Sequence, residues 1–293
     1  MLISGYNIIV LVKQVPDTRN VGAQAMNADG TINRAALPAI FNPDDLKALE
    51  QALLLKDKFP GSHITVLTMG PKRATALLRD ALYRGADEAI LLSDSAFAGA
   101  DTLATSYALS TAIKKIGQYD IILCGRQAID GDTAQVGPQV ATQLGIPQIT
   151  CTRKILTCEG GEMLVERNID NGTELVKAPL PLLVTVDGSA VSCRPRNAYR
   201  ILRFHRAATP SEQADEGYKY AAQAQKDTSL TIKEWNLASI GGDASCCGLS
   251  GSPTKVKAVE NIVFKAKESK RYTAAAEDIK MLVSELLSNH TIG

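Results

Sequence analysis

The segment from Gly125 to Gln135 concentrates the side chains that could bind a ligand. It contains two glycines, two aspartates, two glutamines, one arginine and one threonine. Glycines let a backbone approach a ligand closely, and exposed amides ahead of a helix offer hydrogen-bond donors to a phosphate. Asp130 and Asp132 would repel a phosphate unless they point at ribose hydroxyls, a cation or backbone amides. From composition alone, a nucleotide-binding loop and a polar turn with an aspartate cap both stay open.

The elements around this segment predict an α/β fold. The continuous apolar run Ile8–Val12 is typical of a strand that helices cover on both faces of a parallel sheet. Strand and helix patterns alternate from there to Gly145, with a helix start predicted at Asn42-Pro43-Asp44-Asp45. We therefore expect a doubly wound, mostly parallel sheet with a ligand crevice at the carboxyl ends of its strands. The predicted strand Ile121–Cys124 leads directly into the polar segment.

The pattern changes after Thr150. Short apolar stretches are separated by Gly160-Gly161 and Asp170-Asn171-Gly172, which predicts a β-hairpin insertion. A basic run then contains Arg194, Arg196, Arg200, Arg203, His205 and Arg206. We predict a nucleotide-binding domain over residues 1–190, and a basic loop with an extended C-terminal arm over 191–293. The arm ends in an amphipathic helix whose apolar stripe must be buried against something: Ile279, Leu282, Val283, Leu286 and Leu287.

Composition and motifs exclude several classes of function. A formal net charge of +1 gives no sign of nucleic-acid binding, and the apolar stretches are shorter than the ~20 residues of a membrane span. Met1 to Ile9 lacks the features of a secretory signal, so we expect a cytoplasmic protein. The six cysteines and three histidines form no metal-binding signature. A P-loop, a G-x-G-x-x-G motif and a nucleophile elbow are also absent from the sequence.

Several motifs together resemble the beta subunit of electron transfer flavoproteins. The similarity covers roughly residues 7 to 206 and lies in Val12–Thr18, Asn42–Asp45, Arg84–Asp87, Gly125–Gln139, Val165–Arg167 and Arg194–Arg196. The resemblance implies a heterodimer with an alpha subunit, on a fold of the adenine-nucleotide-binding type. It implies no catalytic side chain and no metal. The implied cofactor contacts are Leu11, Asn42, Pro43, Asp44, Asp45, Met69, Gly125, Arg126, Gln127, Ala128, Ile129, Asp130, Gly131, Asp132, Thr133, Ala134, Gln135 and Val136.

Beta subunits of this family bind either structural AMP or, in the electron-bifurcating branch, a second FAD that takes hydride from NADH. AMP-binding members tend toward Asp-Asp-Asp in the loop, whereas this chain has Asp130-Gly131-Asp132, similar to the bifurcating branch. The segments Val15–Thr18 and Gly248–Val256 also resemble that branch. The resemblance thus favours FAD, with AMP as the alternative, and implies a dehydrogenase partner, which could be of the acyl-CoA dehydrogenase type, with NADH and ferredoxin as further candidates.

The sequence leaves other points open. Where the family's dehydrogenase-docking segment has an acidic residue before Pro-Arg-Tyr, this chain has Cys193-Arg194-Pro195-Arg196-Asn197. The basic run could contact an acidic partner, the alpha subunit or only solvent. An AMP-containing structural subunit is the second hypothesis. An adenine-nucleotide hydrolase or ATP-dependent ligase is the third, although the sequence has no catalytic signature for it.

Overall fold

The computed structural model describes residues 5–17, 37–215, 217–220, 223, 226–254, 269–289 and 291–292. Its strands are β1 (Asn7–Leu11), β2 (Gln14–Pro16), β3 (Ala39–Phe41), β4 (His63–Met69), β5 (Glu88–Leu92), β6 (Ile121–Gly125), β7 (Gln148–Glu159), β8 (Glu162–Ile169), β9 (Gly172–Pro179), β10 (Leu182–Val186) and β11 (Lys233–Trp235). Its helices are α1 (Pro43–Lys58), α2 (Thr75–Arg84), α3 (Thr102–Ile116), α4 (Val136–Leu144), α5 (Ala198–Phe204), α6 (Pro210–Gln213), α7 (Leu237–Ile240) and α8 (Ala276–Ser288).

A mixed sheet in the order β11-β5-β4-β1-β6-β10-β7-β8-β9 organises the described chain. Strand β1 lies between β4 and β6 and is parallel to both. From β1 the chain goes to β4 and β5 on one side, and it later returns to β6 and β10 on the other side. The strand order therefore reverses between β1 and β6, which is the position where sheets of this kind open a crevice for a ligand.

Helices cover both faces of the parallel strands. Ile8 and Val10 of β1 pack in one buried cluster with α1 and α2, whereas Ile9 and Leu11 pack in a second cluster with α3 and α4. Successive side chains of a strand point to opposite faces, so a strand that is buried on both faces reads as a continuous apolar run. This packing confirms the predicted doubly wound α/β fold.

The predicted hairpin insertion is also present. Strand β7 pairs in parallel with β10 through its first residues and antiparallel with β8 further along. Strands β8 and β9 pair in full antiparallel register around the two-residue connection Asp170-Asn171. The insertion therefore extends the main sheet at one edge.

Residues beyond 190 contribute to the same sheet and core. Strand β11 pairs in parallel with β5, and Phe204, Leu230 and Ile232 are buried in the cluster below α1 and α2. The division of the chain at residue 190 remains a prediction. The sheet itself nevertheless uses a strand from beyond that position.

Arginines of the basic run, Arg203 among them, bind groups of this chain. The Arg194 guanidinium donates to Glu50 Oε1 (2.9 Å) and Asp57 Oδ2 (2.8 Å), and Arg196 Nε donates to Asp80 Oδ1 at 2.6 Å. Arg200 donates to carbonyls at the end of α2. The basic run thus binds the segment that follows β10 to helices α1 and α2. The sequence did not indicate this role within the chain.

Helix α8 confirms the predicted C-terminal helix, and its apolar stripe is not buried by the described chain. Ile279 and Leu287 are each 50% exposed, and Leu282 and Leu286 are half-buried. Residues 255–268 of the predicted arm lie outside the described residues. None of the helices that the structure describes is both long enough and apolar enough to span a membrane.

Candidate functional site

The predicted site residues come from three separate parts of the chain that meet at the strand reversal. Leu11 ends β1, Met69 ends β4 and Gly125 ends β6. Asn42 to Asp45 form the start of α1, which packs against β6. The remaining predicted residues form the loop from Arg126 to Gln135, which runs from β6 to α4 at Val136. We call residues 125–135 the switch loop.

Asn42 holds the switch loop against the start of α1. Its side chain is fully buried, and it does not cap α1 although it occupies the N-cap position. Instead, Nδ2 donates to the carbonyl of Gln127 at 2.8 Å, and Oδ1 accepts from the amide of Ile129 at 3.2 Å. A carboxamide has both a donor and an acceptor, so this one side chain can satisfy two peptide groups of the loop.

Asp45 ties the ends of β1 and β6 together. One carboxylate oxygen accepts from the Lys13 amide at 2.8 Å, and the other accepts from the Gly125 amide at 2.9 Å. Burial raises the pKa of Asp45 to about 7, against the opposing effect of the hydrogen bonds from Asn42, Lys13 and Gly125. Asp45 therefore stabilises the backbone at the base of the crevice. Its direct contact with a cofactor stays a prediction.

Asp44 is the other carboxylate at the start of α1. Its pKa is raised by burial, and the nearby charges of Arg126 and Lys47 act in the opposite direction. Arg126 is exposed at the beginning of the switch loop, and its backbone amide donates to the carbonyl of Val186 at 2.8 Å. The first residue of the loop is thus anchored on β10, while its guanidinium stays accessible.

The two glycines of the switch loop differ in how closely other atoms pack around them. A Cβ atom at Gly125 would lie 2.5 Å from Asp45 Oδ1 and 2.8 Å from the backbone carbon of Asp44, so the approach of α1 requires glycine there. A Cβ atom at Gly131 would meet no atom within 4 Å. Packing within the described chain gives no reason for glycine at position 131.

The two aspartates of the loop are both engaged by side chains of this chain. Lys13 Nζ lies 2.8 Å from each carboxylate oxygen of Asp130, and Gln127 Nε2 donates to Asp132 Oδ1 at 2.8 Å. These contacts remove much of the repulsion that the sequence suggested between the loop and a phosphate. Lys13 was not among the predicted site residues, because only the fold brings it to Asp130.

The second half of the loop offers backbone donors. Asp132 and Ala134 have positive φ angles of 49° and 52°, in the left-handed region that side chains other than glycine rarely adopt. No hydrogen bond is formed within the described chain by the amides of Thr133, Ala134 and Gln135. These amides precede the N-terminus of α4, where the helix dipole is positive. The arrangement can bind an anion such as a phosphate.

Close packing fixes the start of α4 behind these donors. A Cβ atom at Gly137 would lie 2.8 Å from Cys124 Sγ and 2.9 Å from Thr185 Cγ2. The glycine thus allows the first turn of the helix to sit directly on β6 and β10. In front of it, the Ala128 carbonyl accepts from the amides of Gly131 (3.3 Å) and Asp132 (2.9 Å), which closes the turn.

A cleft of about 380 Å³ lies at the ends of β4 and β5. Met69, Pro71, Leu92 and Phe97 contribute to its lining, so its walls are largely apolar. Such a surface suits an aromatic ring system better than a phosphate. The crevice region therefore offers polar donors at the switch loop and apolar walls beside Met69.

The chain is similar to known proteins along most of its length. Residues 29–216 match the electron transfer flavoprotein domain. The chain is 42% identical over 286 residues to the electron transfer flavoprotein subunit beta of Thermoanaerobacterium thermosaccharolyticum, covering 98% of this chain and 100% of the relative. It is 41% identical to the caffeyl-CoA reductase-Etf complex subunit CarD of Acetobacterium woodii, with 85% of each covered.

A third relative is the acryloyl-CoA reductase electron transfer subunit gamma of Anaerotignum propionicum, which is 40% identical and covers 97% of this chain and 99% of its own length. The domain match covers more than half of the chain, and the first relative matches over nearly its entire length. A nine-stranded, mostly parallel sheet with helices on both faces is consistent with that domain. The chain therefore belongs to the electron transfer flavoprotein family, among its beta subunits.

Proposed function

We propose that this chain binds FAD in the crevice at the strand reversal and, with an alpha subunit, relays electrons by flavin-based bifurcation. In this proposal the electrons pass between NADH or a dehydrogenase and a second acceptor, for which ferredoxin is a candidate. The observation that carries the proposal is the switch loop. The amides of Thr133, Ala134 and Gln135 form no hydrogen bond within the described chain, and the carboxylates of Asp130 and Asp132 are already engaged.

The residues of the crevice fit an adenine nucleotide. The phosphates would bind at the unpaired amides, and the adenosine would lie along the ends of β1 and β4, beside Leu11 and Met69. Arg126 is exposed at the loop and can offer a further positive charge. The remaining predicted contacts would act by holding this arrangement, as Asn42 does for the loop backbone.

Two observations favour FAD over AMP. Packing within the described chain does not explain Gly131, so the glycine is better explained by a ligand beside the loop, as the resemblance to the bifurcating branch implies. The relatives include subunits of a caffeyl-CoA reductase-Etf complex and of an acryloyl-CoA reductase. Those names also support a dehydrogenase partner that acts on acyl-CoA compounds. Structural AMP, with electron transfer carried by the flavin of the alpha subunit, is the alternative.

A bound flavin supplies the hydride and one-electron chemistry, and this chain supplies binding and orientation. Asp45 and Asn42 fix the backbone that contacts the ligand, and Lys13 neutralises Asp130 beside it. The chemistry requires no side chain of this chain to act as an acid or a base. The apolar stripe of α8 would be buried on the alpha subunit, and the cytoplasm is the proposed location.

An anaerobic titration of the purified heterodimer tests the proposal. Nucleotides released from the denatured complex are counted first, and NADH is then added to the intact complex while flavin absorbance is recorded. We expect two FAD per heterodimer, with bleaching by NADH in the absence of any dehydrogenase. One FAD and one AMP per heterodimer, with no reaction toward NADH, would support the structural-AMP alternative instead.

A further inference from the structure

A row of polar side chains with a four-residue repeat joins α3 to α4 and to the end of the switch loop. It consists of Thr102, Ser106 and Ser110 on one side and Gln135, Gln139 and Gln143 on the other. Ser110 Oγ donates to Gln143 Oε1 at 2.8 Å, and Gln143 Nε2 donates to Ser106 Oγ at 2.9 Å. Residues four apart share one face of a helix, so the row follows the line of contact between the two helices.

The last contacts of this row reach the switch loop. Gln139 Nε2 donates to Thr102 Oγ1 at 3.3 Å, and Thr102 Oγ1 donates to Gln135 Oε1 at 2.9 Å. A hydroxyl has a single hydrogen, which Thr102 gives to Gln135. The Gln135 carboxamide is therefore turned with its oxygen toward α3 and its Nε2 donors away from it.

Thr102 itself is held firmly. It is the first residue of α3, directly after the N-cap Asp101, whose Oδ1 accepts from the amides of Leu103 and Ala104 at 2.9 and 3.0 Å. The Asp101 amide donates to the buried hydroxyl of Ser252 at 2.8 Å. The hydroxyl that orients Gln135 thus projects from a fixed point of the fold, whereas Gln135 lies on an exposed loop.

We propose that Thr102 is a positioning residue for the nucleotide: it turns the Gln135 carboxamide so that Nε2 donates to a phosphate bound at the switch loop. This inference rests on the proposed function, in which the phosphates lie beside the amides of Thr133 and Ala134. Those amides form no hydrogen bond within the described chain. The carboxamide N–H would donate to phosphate oxygens, and the adenosine part of the ligand does not need this donor. The contribution of Thr102 is therefore specific to the phosphorylated part of the ligand.

Binding of ADP and adenosine to the nucleotide-free heterodimer, measured by calorimetry, tests this inference. ADP has the adenosine and the pyrophosphate of FAD, and adenosine lacks the phosphates. We expect Thr102→Val to weaken ADP binding about five- to tenfold, as for one lost hydrogen bond, and to leave adenosine binding unchanged. Thr102→Ser keeps the hydroxyl and should restore ADP binding. Thr111→Val is the matched control, because the Thr111 hydroxyl on the same helix donates to the Tyr107 carbonyl instead.

A double variant tests the route through Gln135. Gln135→Ala should weaken ADP binding as much as Thr102→Val, and the combined variant should lose no more than either single one. Equal losses for ADP and adenosine in Thr102→Val, unchanged ADP binding, or additive losses in the double variant would overturn the inference while the proposed function stands. A wild-type heterodimer that binds ADP no better than adenosine would overturn both.

Discussion

Gly125 offers a direct test of how the switch loop is seated on α1. In Gly125→Ala, the added methyl group would have to occupy a position 2.5 Å from Asp45 Oδ1 and 2.8 Å from the Asp44 backbone carbon. Contacts this short between a carbon atom and backbone cannot persist, so the start of α1 and the end of β6 must move apart. The hydrogen bond from the Gly125 amide to Asp45, 2.9 Å long, would lengthen with that movement.

The expected cost follows from these contacts. Overpacking of a well-packed site destabilises by ~1–3 kcal/mol, and weakening of the hydrogen bond to Asp45 adds to it. We therefore expect the free energy of unfolding to fall by about 2 kcal/mol or more, which lowers Tm by roughly 3 °C or more in a chain of 293 residues. Nucleotide affinity should fall as well, because the loop amides shift together with β6.

Thermal unfolding of the nucleotide-free heterodimer, followed by circular dichroism, measures this cost. Gly131→Ala serves as the matched control, since it adds the same methyl group to the same loop where no atom lies within 4 Å. The control should keep the Tm of the wild type. If Gly125→Ala unfolds at the same temperature as Gly131→Ala, the described packing of the loop on α1 is wrong.

Three further predictions concern charge and assembly. Asp132→Asn should keep nucleotide affinity within a few-fold, because asparagine tolerates a φ of 49° and retains an acceptor for Gln127, whereas Asp132→Ala should lose more in the same binding assay. The raised pKa of Asp45, about 7, means that its stabilising protonated form is fully present below the unfolded pKa of ~4 and is lost as pH rises through 7. The free energy of urea unfolding of the wild type should therefore decline by about 1 kcal/mol more between pH 6 and 8 than that of Asp45→Asn, since the raised pKa of His63 acts in both proteins, and parallel pH profiles would contradict this. Deletion of residues 273–293 should weaken the heterodimer in sedimentation experiments without lowering the Tm of this chain, and an unchanged dissociation constant would show that α8 packs elsewhere.

The sequence predicted the doubly wound sheet because its central strands are buried on both faces. Ile8 to Val12 and Ile121 to Cys124 are continuous apolar runs, and such runs require helices on each side. The local sequence also predicted the start of α1 at Pro43, because proline suits the first turn of a helix. The position of the switch loop then followed from its place directly after a buried strand.

Other parts depend on contacts that no local pattern encodes. Lys13 and Asp130 are 117 positions apart, and Arg194 and Glu50 are 144 positions apart, so neither ion pair could be found by spacing. Strand β11 has only three residues, which are exposed or half-buried, and a strand that short has no visible alternation. The row of polar side chains between α3 and α4 does have a four-residue period on each helix. However, serine, threonine and glutamine with that spacing are equally typical of a solvent-exposed helix face.

The FAD content of a Gly131→Asp heterodimer tests the claim that the switch loop holds a flavin nucleotide. Gly131 lies in open space, so the change should leave folding and heterodimer formation intact. It places a third carboxylate beside Asp130 and Asp132, close to the proposed pyrophosphate. We predict that FAD falls from two per heterodimer toward one, while Gly131→Ala retains two. Two FAD in both variants, with unchanged reduction by NADH, would contradict the claim.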